Sequence, residues 1–400
     1  DSLIPITPKK KYEVKSDSFF VTYSLGLSTN RDAWVYNFNK ESIRSNMCRM
    51  IEFYNSELVR LQKFPKDKIL KSLNSNPTKI SWSVNLKKDI KNLTKHSYKG
   101  EAIKESSYRP FCNQHVYFDR PFIERPGLNM AFFPTEELGN KVICVSPSPN
   151  DALSVLITDN MANLHYNGDT QCYPMYYYEE AVKNSPTLFQ QTEKQGFVRK
   201  NNISDYILDR AQKQYGKRVM REDIFYYIYG FLHSPKYRTT FSNDLKKTLP
   251  RIPLVDDVRD FWKFNKAGKA LADLHIEYET APPYKGVKVT GESAKFFEVT
   301  KMRFPKKDEK NTIIYNSKIT ISNIPDKAYQ YVVNGKSAID WIMERYQVTT
   351  HKASGIRNDP NDWAKEVSNP RYILDLLLSV INVSVQTVDI VNDLPKVKFE

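Results

Sequence analysis

The chain is 400 residues long and 40% hydrophobic, with 22 Pro, only 13 Gly and a net charge of +14. This length and apolar content support two or three domains with buried cores, and 25 Tyr, 21 Phe and 5 Trp exclude general disorder. Glycine is too scarce for collagen, no heptad is sustained, and the most apolar stretch, 372–385, is broken by Asp375 and Asn382 and is too short to span a bilayer.

In chain order, residues 1–16 read as a linker and 19–25 as a strand, with a turn at Thr29-Asn30-Arg31-Asp32. Ile43, Met47, Met50, Ile51, Tyr54, Leu58 and Leu61 recur at three- and four-residue spacing and predict an amphipathic helix over 41–64, ended by Pro65. Residues 66–104 are basic, with short helices expected. Buried strands are expected at 141–146 and 153–158, joined by a Pro-Ser-Pro-Asn turn at 147–150, and another at 171–178. The polar stretch 184–202 marks a candidate boundary. Beyond it, 222–233 is apolar on nearly every face and predicts a buried helix, and 257–278 a second. A hairpin is expected at 312–321 around Asn316-Ser317, with closing helices near 337–347 and 370–391.

Charge is unevenly spread. From residue 60 to 104 twelve basic residues face three acidic ones, whereas 126–190 holds seven acidic and two basic. Such a basic block favours a polyanionic partner. Cys48, Cys112, Cys144 and Cys172 form no CxxC pair and sit at no zinc-finger spacing, so reduced thiols and a cytosolic protein are expected. No signal peptide is visible. The absence of an initiator Met leads to the expectation of a fragment or processed piece.

Catalytic motifs are missing: no GxGxxG, Walker A lysine loop, GxSxG or HExxH is present. Asn369-Pro370-Arg371-Tyr372 comes near the NPPY of N6-adenine methyltransferases, but Arg371 replaces the second proline. A proline at the first turn of a helix is the plainer reading. Basic residues interleaved with aromatics carry the positive signal. Lys79, Trp82, Lys87 and Lys88 fall within ten residues, and Arg109, Gln114, His115 and Arg120 alternate with Tyr108, Phe111, Tyr117 and Phe118. Arg and Lys neutralise phosphates, while Asn, Gln and Arg read base edges. The bland alternative makes the aromatics core and the lysines a solvated face.

The sequence resembles the C-terminal specificity region of single-polypeptide, Type I-like (Type ISP) restriction–modification enzymes. The resembling stretches include TYSLGLSTNRDAWVYNF (22–38), PTKISWSVNLKKDIK (77–91), SYRPFCNQHVYFDR (107–120), EDIFYYIYGFLHSPKYRTTFSNDLKKTLPRIPLVDD (222–257) and YVVNGKSAIDWIMERYQVTTHKASGIRNDPNDW (331–363). They run in order along nearly the whole chain. One departure is Cys112, where the family's YRPF element is followed by Asp, Thr or similar.

The resemblance implies an α+β (mixed α/β) fold with two lobes, 17–190 and a mainly helical 191–400 with a small sheet, preceded at 1–16 by a linker or the tail of an upstream methyltransferase module. It implies sequence-specific recognition of double-stranded DNA in a bacterial, cytoplasmic, nucleoid-associated enzyme. The methyltransferase and helicase modules of the same parent polypeptide would be the other partners, with no membrane involved. This chain would hold no cofactor and no catalytic group; its parent would use S-adenosylmethionine, ATP and Mg. Lys79, Lys87 and Lys88 would clamp phosphates, Asn30, Arg31, Arg109 and Arg120 would lie near the DNA path, and Trp82 and Gln114 would join them, while loop side chains between 112 and 175, or in the 351–362 turn, would touch base edges. The Gly355-containing turn, with Lys352 and Arg357, suits a phosphate contact. Two alternatives stand beside this: a protein-docking module that does not read DNA, and a degenerate methyltransferase fragment.

Overall fold

The computed structural model describes residues 3–12, 16–149, 152–181, 193–194 and 196–399. Two four-stranded sheets organise the first half. One runs Ser24–Leu25, Gln171–Pro174, Val142–Ser148, Ala152–Thr158, all antiparallel. The other runs Tyr36–Asn37, Cys112–Tyr117, Ile103–Arg109, Met161–Ala162, with its last pair parallel.

The first sheet separates two cores. Side chains alternate faces along a strand, so Val142 and Cys144 enter one apolar cluster while Ile143 and Val145 enter another. On the paired strand Cys172 and Tyr173 divide the same way. A strand buried on both faces reads as a continuous apolar run, which explains why ICV was legible. A third cluster forms where the Lys40–Leu61 helix packs on the second sheet, uniting Ile43, Met47, Met50, Tyr54, Val116 and Tyr117. Asn39 caps that helix, accepting from the Ser42 N–H at 2.8 Å; such a cap contributes about 1 kcal/mol.

The second half is helical around the same sheet. Arg221–Phe231 is buried on nearly every face and crosses Val258–Ile276 at Gly230 and Gly268. The strand section brings Lys288–Thr290, Thr320–Ser322 and Ile313–Ile314 together, with the last two forming the expected hairpin. Ala338–Arg345 and Tyr372–Asn392 close the chain. The last helix has 21 residues, longer than its apolar stretch suggested, and is long and apolar enough by composition to cross a membrane. However, 72% of its most apolar window is buried inside the protein.

Several expectations need correction. The linker reading of 1–16 fails for its first part: Ile4–Pro5 pairs with Arg251–Ile252, and Ile4 and Ile6 are buried. Of the strand expected at 19–25 only Ser24–Leu25 forms, with a single bridge from Phe20 to Ile203. The strand expected at 171–178 breaks at Met175, after which Tyr176–Glu180 pairs with Phe197–Asn201 in another sheet. Ladder pairing thus continues up to Pro147 and Ser148, in the expected turn, while Asn150 lies outside the described residues. The cores also do not divide at residue 190. Both clusters flanking the first sheet draw on residues from either side of it, and the Asn202 side chain donates to both Thr22 and Pro174 carbonyls. Much of the polar stretch chosen as the boundary, 182–192 and 195, lies outside the described residues. All four cysteines are free, and Cys112, Cys144 and Cys172 are buried.

Candidate nucleic-acid interface

Four segments distant in sequence meet around one cleft of about 630 Å³: 27–36, 77–81, 163–165 and 349–358, with Tyr108 between them. The first segment is pinned from behind. Gly26 lies so close to the Asn163–Leu164 backbone that an added Cβ would sit 2.5 Å from the Asn163 carbonyl oxygen. Leu27 donates to the Ala162 carbonyl and Leu164 to that of Leu27, both at 2.8 Å. The expected turn follows. Thr29 accepts from the Arg31 N–H at 3.1 Å and its hydroxyl donates to the Asp32 carboxylate, and Asn30 takes a left-handed φ of 53° that presents it to solvent. Asn is among the side chains that tolerate this conformation.

Arg109 does not line the cleft but backs three residues that do, Asp32, Tyr108 and Asn163. Its guanidinium donates to Asn163 Oδ1 at 2.9 Å and to the Tyr108 carbonyl at 2.6 Å, lies 4.0 Å over the Tyr108 ring and stands 3.7 Å from Asp32. Asn163 Oδ1 also accepts from the His165 N–H at 2.9 Å. On the far side, Thr349–Thr350 and Arg357–Asn358 pair as a hairpin. Its tip is closed by Gly355 N–H on the His351 carbonyl at 2.8 Å, by His351 Nδ1 against Ser354 Oγ at 2.8 Å, and by the φ of 69° at Gly355. The segment before Trp82 is shaped by Asn76, whose side chain accepts from Thr78 N–H at 3.0 Å; this is an Asx turn.

Arg31 is a buried cation beside the cleft. It lines the cleft yet is only 4% exposed, and its Nε, Nη1 and Nη2 have no hydrogen-bond partner. Burial lowers its pKa to about 10, opposed by the charge of Glu124. Glu124 Oε2 is also buried without a hydrogen bond. Among the described residues no group of three or more His, Cys, Asp or Glu side chains is placed to hold a metal ion.

The sequence candidates fall into three groups. Asn30 and Arg31 line the cleft, and the exposed Lys79 and Lys352 lie between lining residues Pro77 and Ile80, and His351 and Ala353. Arg357 is exposed in the hairpin and reaches Asp359 at 2.6 Å. Lys87 and Lys88, on the Val84–Lys91 helix, and Arg120, which opens the Arg120–Phe122 turn, are exposed but do not line the cleft. Their two elements are joined by the Asn85 side chain, which donates to the Ile123 carbonyl at 3.0 Å.

Three placements differ from expectation. Gln114 is buried, and its oxygen accepts from Asn358. Arg109 is spent on internal partners, as described. Trp82 packs against Tyr54, with ring centroids 5.8 Å apart, and its Nε1–H is taken by the Asn74 carbonyl at 2.9 Å. Composition cannot separate such side chains from free ones, since an Arg or Gln among aromatics suits either role. Asn163 and His165 fall within the 112–175 range expected to supply base-touching loops but were not singled out as cleft residues, and Tyr108 figured only among the interleaved aromatics. No local signal marks them, because the 162–164 segment reaches the cleft only through pairing with residues 27 and 107.

The family model for the Type ISP C-terminal specificity domain matches residues 18–376. Among solved structures, the chain is similar to a nuclease-deletion mutant of the Type ISP restriction-modification enzyme LlaGI in complex with a DNA substrate mimic, with 36% identity and a TM-score of 0.84. It is likewise similar to the ATP-dependent Type ISP enzyme LlaBIII bound to DNA, with 36% identity and a TM-score of 0.85. A DrdV–DNA complex matches with 28% identity and a TM-score of 0.83. Each match covers 100% of this chain but only 34%, 24% and 38% of the respective relatives. A comparison with curated proteins returns no match. With the family model covering most of its length, the chain belongs to the Type ISP C-terminal specificity domain family.

Proposed function

We propose that this chain recognises a specific sequence in double-stranded DNA, as the specificity part of a larger restriction–modification enzyme. The observation that carries this reading is the cleft itself. Polar loops from four distant segments converge there around a buried, unpartnered guanidinium, with Lys79 and Lys352 beside it. The solved relatives were captured with DNA, which supports the same reading. In this account Lys79 and Lys352 contact phosphates, while Asn30 and the loop side chains around 163–165 and 351–353 approach the bases. Adenine methylation, translocation and cleavage would be the work of other modules of the parent.

The test is selection of a randomised duplex library on the purified chain at two salt concentrations, followed by sequencing of the retained fraction. An enriched asymmetric motif that survives the higher salt is the expected result. Retention without enrichment, lost steeply with salt, would mean phosphate contact alone, and no retention at either salt would leave the docking-module reading in its place.

A further inference from the structure

The cleft does not use all of the cations that the sequence singles out. Ser83, two residues beyond the cleft-lining Ser81, caps the Val84–Lys91 helix by accepting from the Leu86 N–H at 3.2 Å. Leu86 and Ile90 are fully buried and seat this helix on the core. Val84, Lys87, Lys88 and Lys91 recur at helical spacing on the opposite side and are exposed. The one acid of the helix, Asp89, is half-buried and lies 3.0 Å from His96 Nε2. Among the described residues none of the three lysines has an ion pair or a side-chain hydrogen bond.

Two arginines continue this face back to the cleft. Arg125 is exposed, and its backbone pairs with that of the cleft-lining Ser28 at 2.9 and 3.0 Å. Between it and the exposed Arg120, the Ile123 carbonyl accepts from Asn85 on the helix at 3.0 Å. Neither arginine side chain has a partner among the described residues. Five free cations thus sit on two joined elements that both adjoin the cleft. Such a face is a poor protein-docking surface, because interface cores are depleted in lysine and its apolar content is a lone exposed valine, Val84. It suits a phosphate backbone. The helix has eight residues and is about 12 Å long, enough for roughly three phosphates of one strand. Resting on the DNA-recognition reading above, we propose that Lys87, Lys88 and Lys91, with Arg120 and Arg125, hold the sugar–phosphate backbone on one flank of the recognised motif, outside the base pairs that the cleft reads. This contact adds affinity and fixes the direction in which the duplex leaves the cleft, without reading sequence.

The experiment uses the full chain and a triple variant, Lys87→Gln, Lys88→Gln and Lys91→Gln combined, all at exposed positions. Three duplexes are compared: the motif enriched by library selection, and that motif extended by about ten base pairs, one helical turn, on one side or on the other. The parent chain should gain about tenfold in affinity at low salt from one extension and little from the other. The triple variant should lose that gain, and its slope of log affinity against log salt on the longer duplex should be shallower by about 2.7, for three phosphate contacts. It should bind the unextended motif as the parent does, melt at the same temperature and enrich the same motif from the library. Lys87→Arg, Lys88→Arg and Lys91→Arg combined should keep the gain. Retention of the gain by the glutamine variant would make the lysines a solvated face, and equal gains from the two extensions would leave no preferred flank; either result overturns the proposal. A loss on the unextended motif as large as on the extended one would move the lysines into the motif and overturn it too. Absence of binding by the parent chain to all three duplexes would instead sink the reading on which the proposal rests.

Discussion

The Asn358 side chain donates to the Gln114 carbonyl oxygen at 3.2 Å, and its own oxygen accepts from the Phe38 N–H at 3.1 Å. One amide thus ties the 349–358 hairpin to the Cys112–Tyr117 strand and to the residue that follows the Tyr36–Asn37 strand. Asn37 adds a third tie, donating to the Arg357 carbonyl at 3.1 Å. Removing the Asn358 amide leaves a buried glutamine oxygen and a backbone N–H unpaired. Asn358→Ala should therefore cost about 1–3 kcal/mol in denaturant unfolding, and should weaken DNA binding more than Arg357→Ala does, because the whole hairpin loses its anchor.

A second prediction concerns the helix crossing that supports the first sheet. A Cβ on Gly268 would lie 1.8 Å from the Tyr226 carbonyl oxygen, and one on Gly230 would lie 2.1 Å from that of Phe264. Both obstacles are backbone, so a rotamer change offers no relief. Gly268→Ala should destabilise by about 3 kcal/mol, at the upper end of overpacking effects. The check is the urea midpoint; a shift as small as that of a surface substitution would refute the crossing.

Acid should destabilise the fold before its carboxylates titrate. His233 is buried with Nδ1 at 2.7 Å from the Tyr229 carbonyl, and burial pushes its pKa down to about 3. His275, held between Tyr229 and Thr387, is lowered for the same reason. Both rings stay neutral in the folded chain, whereas the unfolded chain takes up their protons below about 6.5. Stability is then fully present above about pH 7 and falls as pH drops from about 6.5 toward 4.5, by up to about 1.4 kcal/mol per pH unit for each ring. His233→Gln should flatten that slope, as read from urea melts across the range.

The lysines beside the cleft should act on affinity alone. Lys79→Ala and Lys352→Ala should each weaken binding of matched and scrambled duplexes to a similar extent and make the salt dependence shallower by about 0.9. Loss of discrimination between the two duplexes would assign the lysine to a base instead.

Helices were legible where burial imposes a period. Ile43 through Leu61 forms one stripe, and the Lys40–Leu61 helix ends one turn before Pro65. The strand around Ile143 was legible because both of its faces are buried. The docking of Ile4 on Ile252 was not, nor was that of Asn37 on Arg357, since neither strand carries enough residues for a period. The site was legible in part for the same reason. The Thr29–Asp32 turn announces itself locally, but Asn163 on Arg109 and Asn358 on Gln114 come from segments more than fifty residues away. Polarity at a position does not reveal whether its hydrogen bonds are already spent.

The most direct measurement is photo-crosslinking to the duplex enriched by selection, with benzoylphenylalanine placed in turn at the exposed cleft positions Asn30, His165 and Ala353, and at the exposed Met220 outside it. The account expects adducts from all three cleft positions, each confined to a few nucleotides of the motif, and none from position 220. Adducts of equal yield from position 220, or none from the cleft, would contradict it.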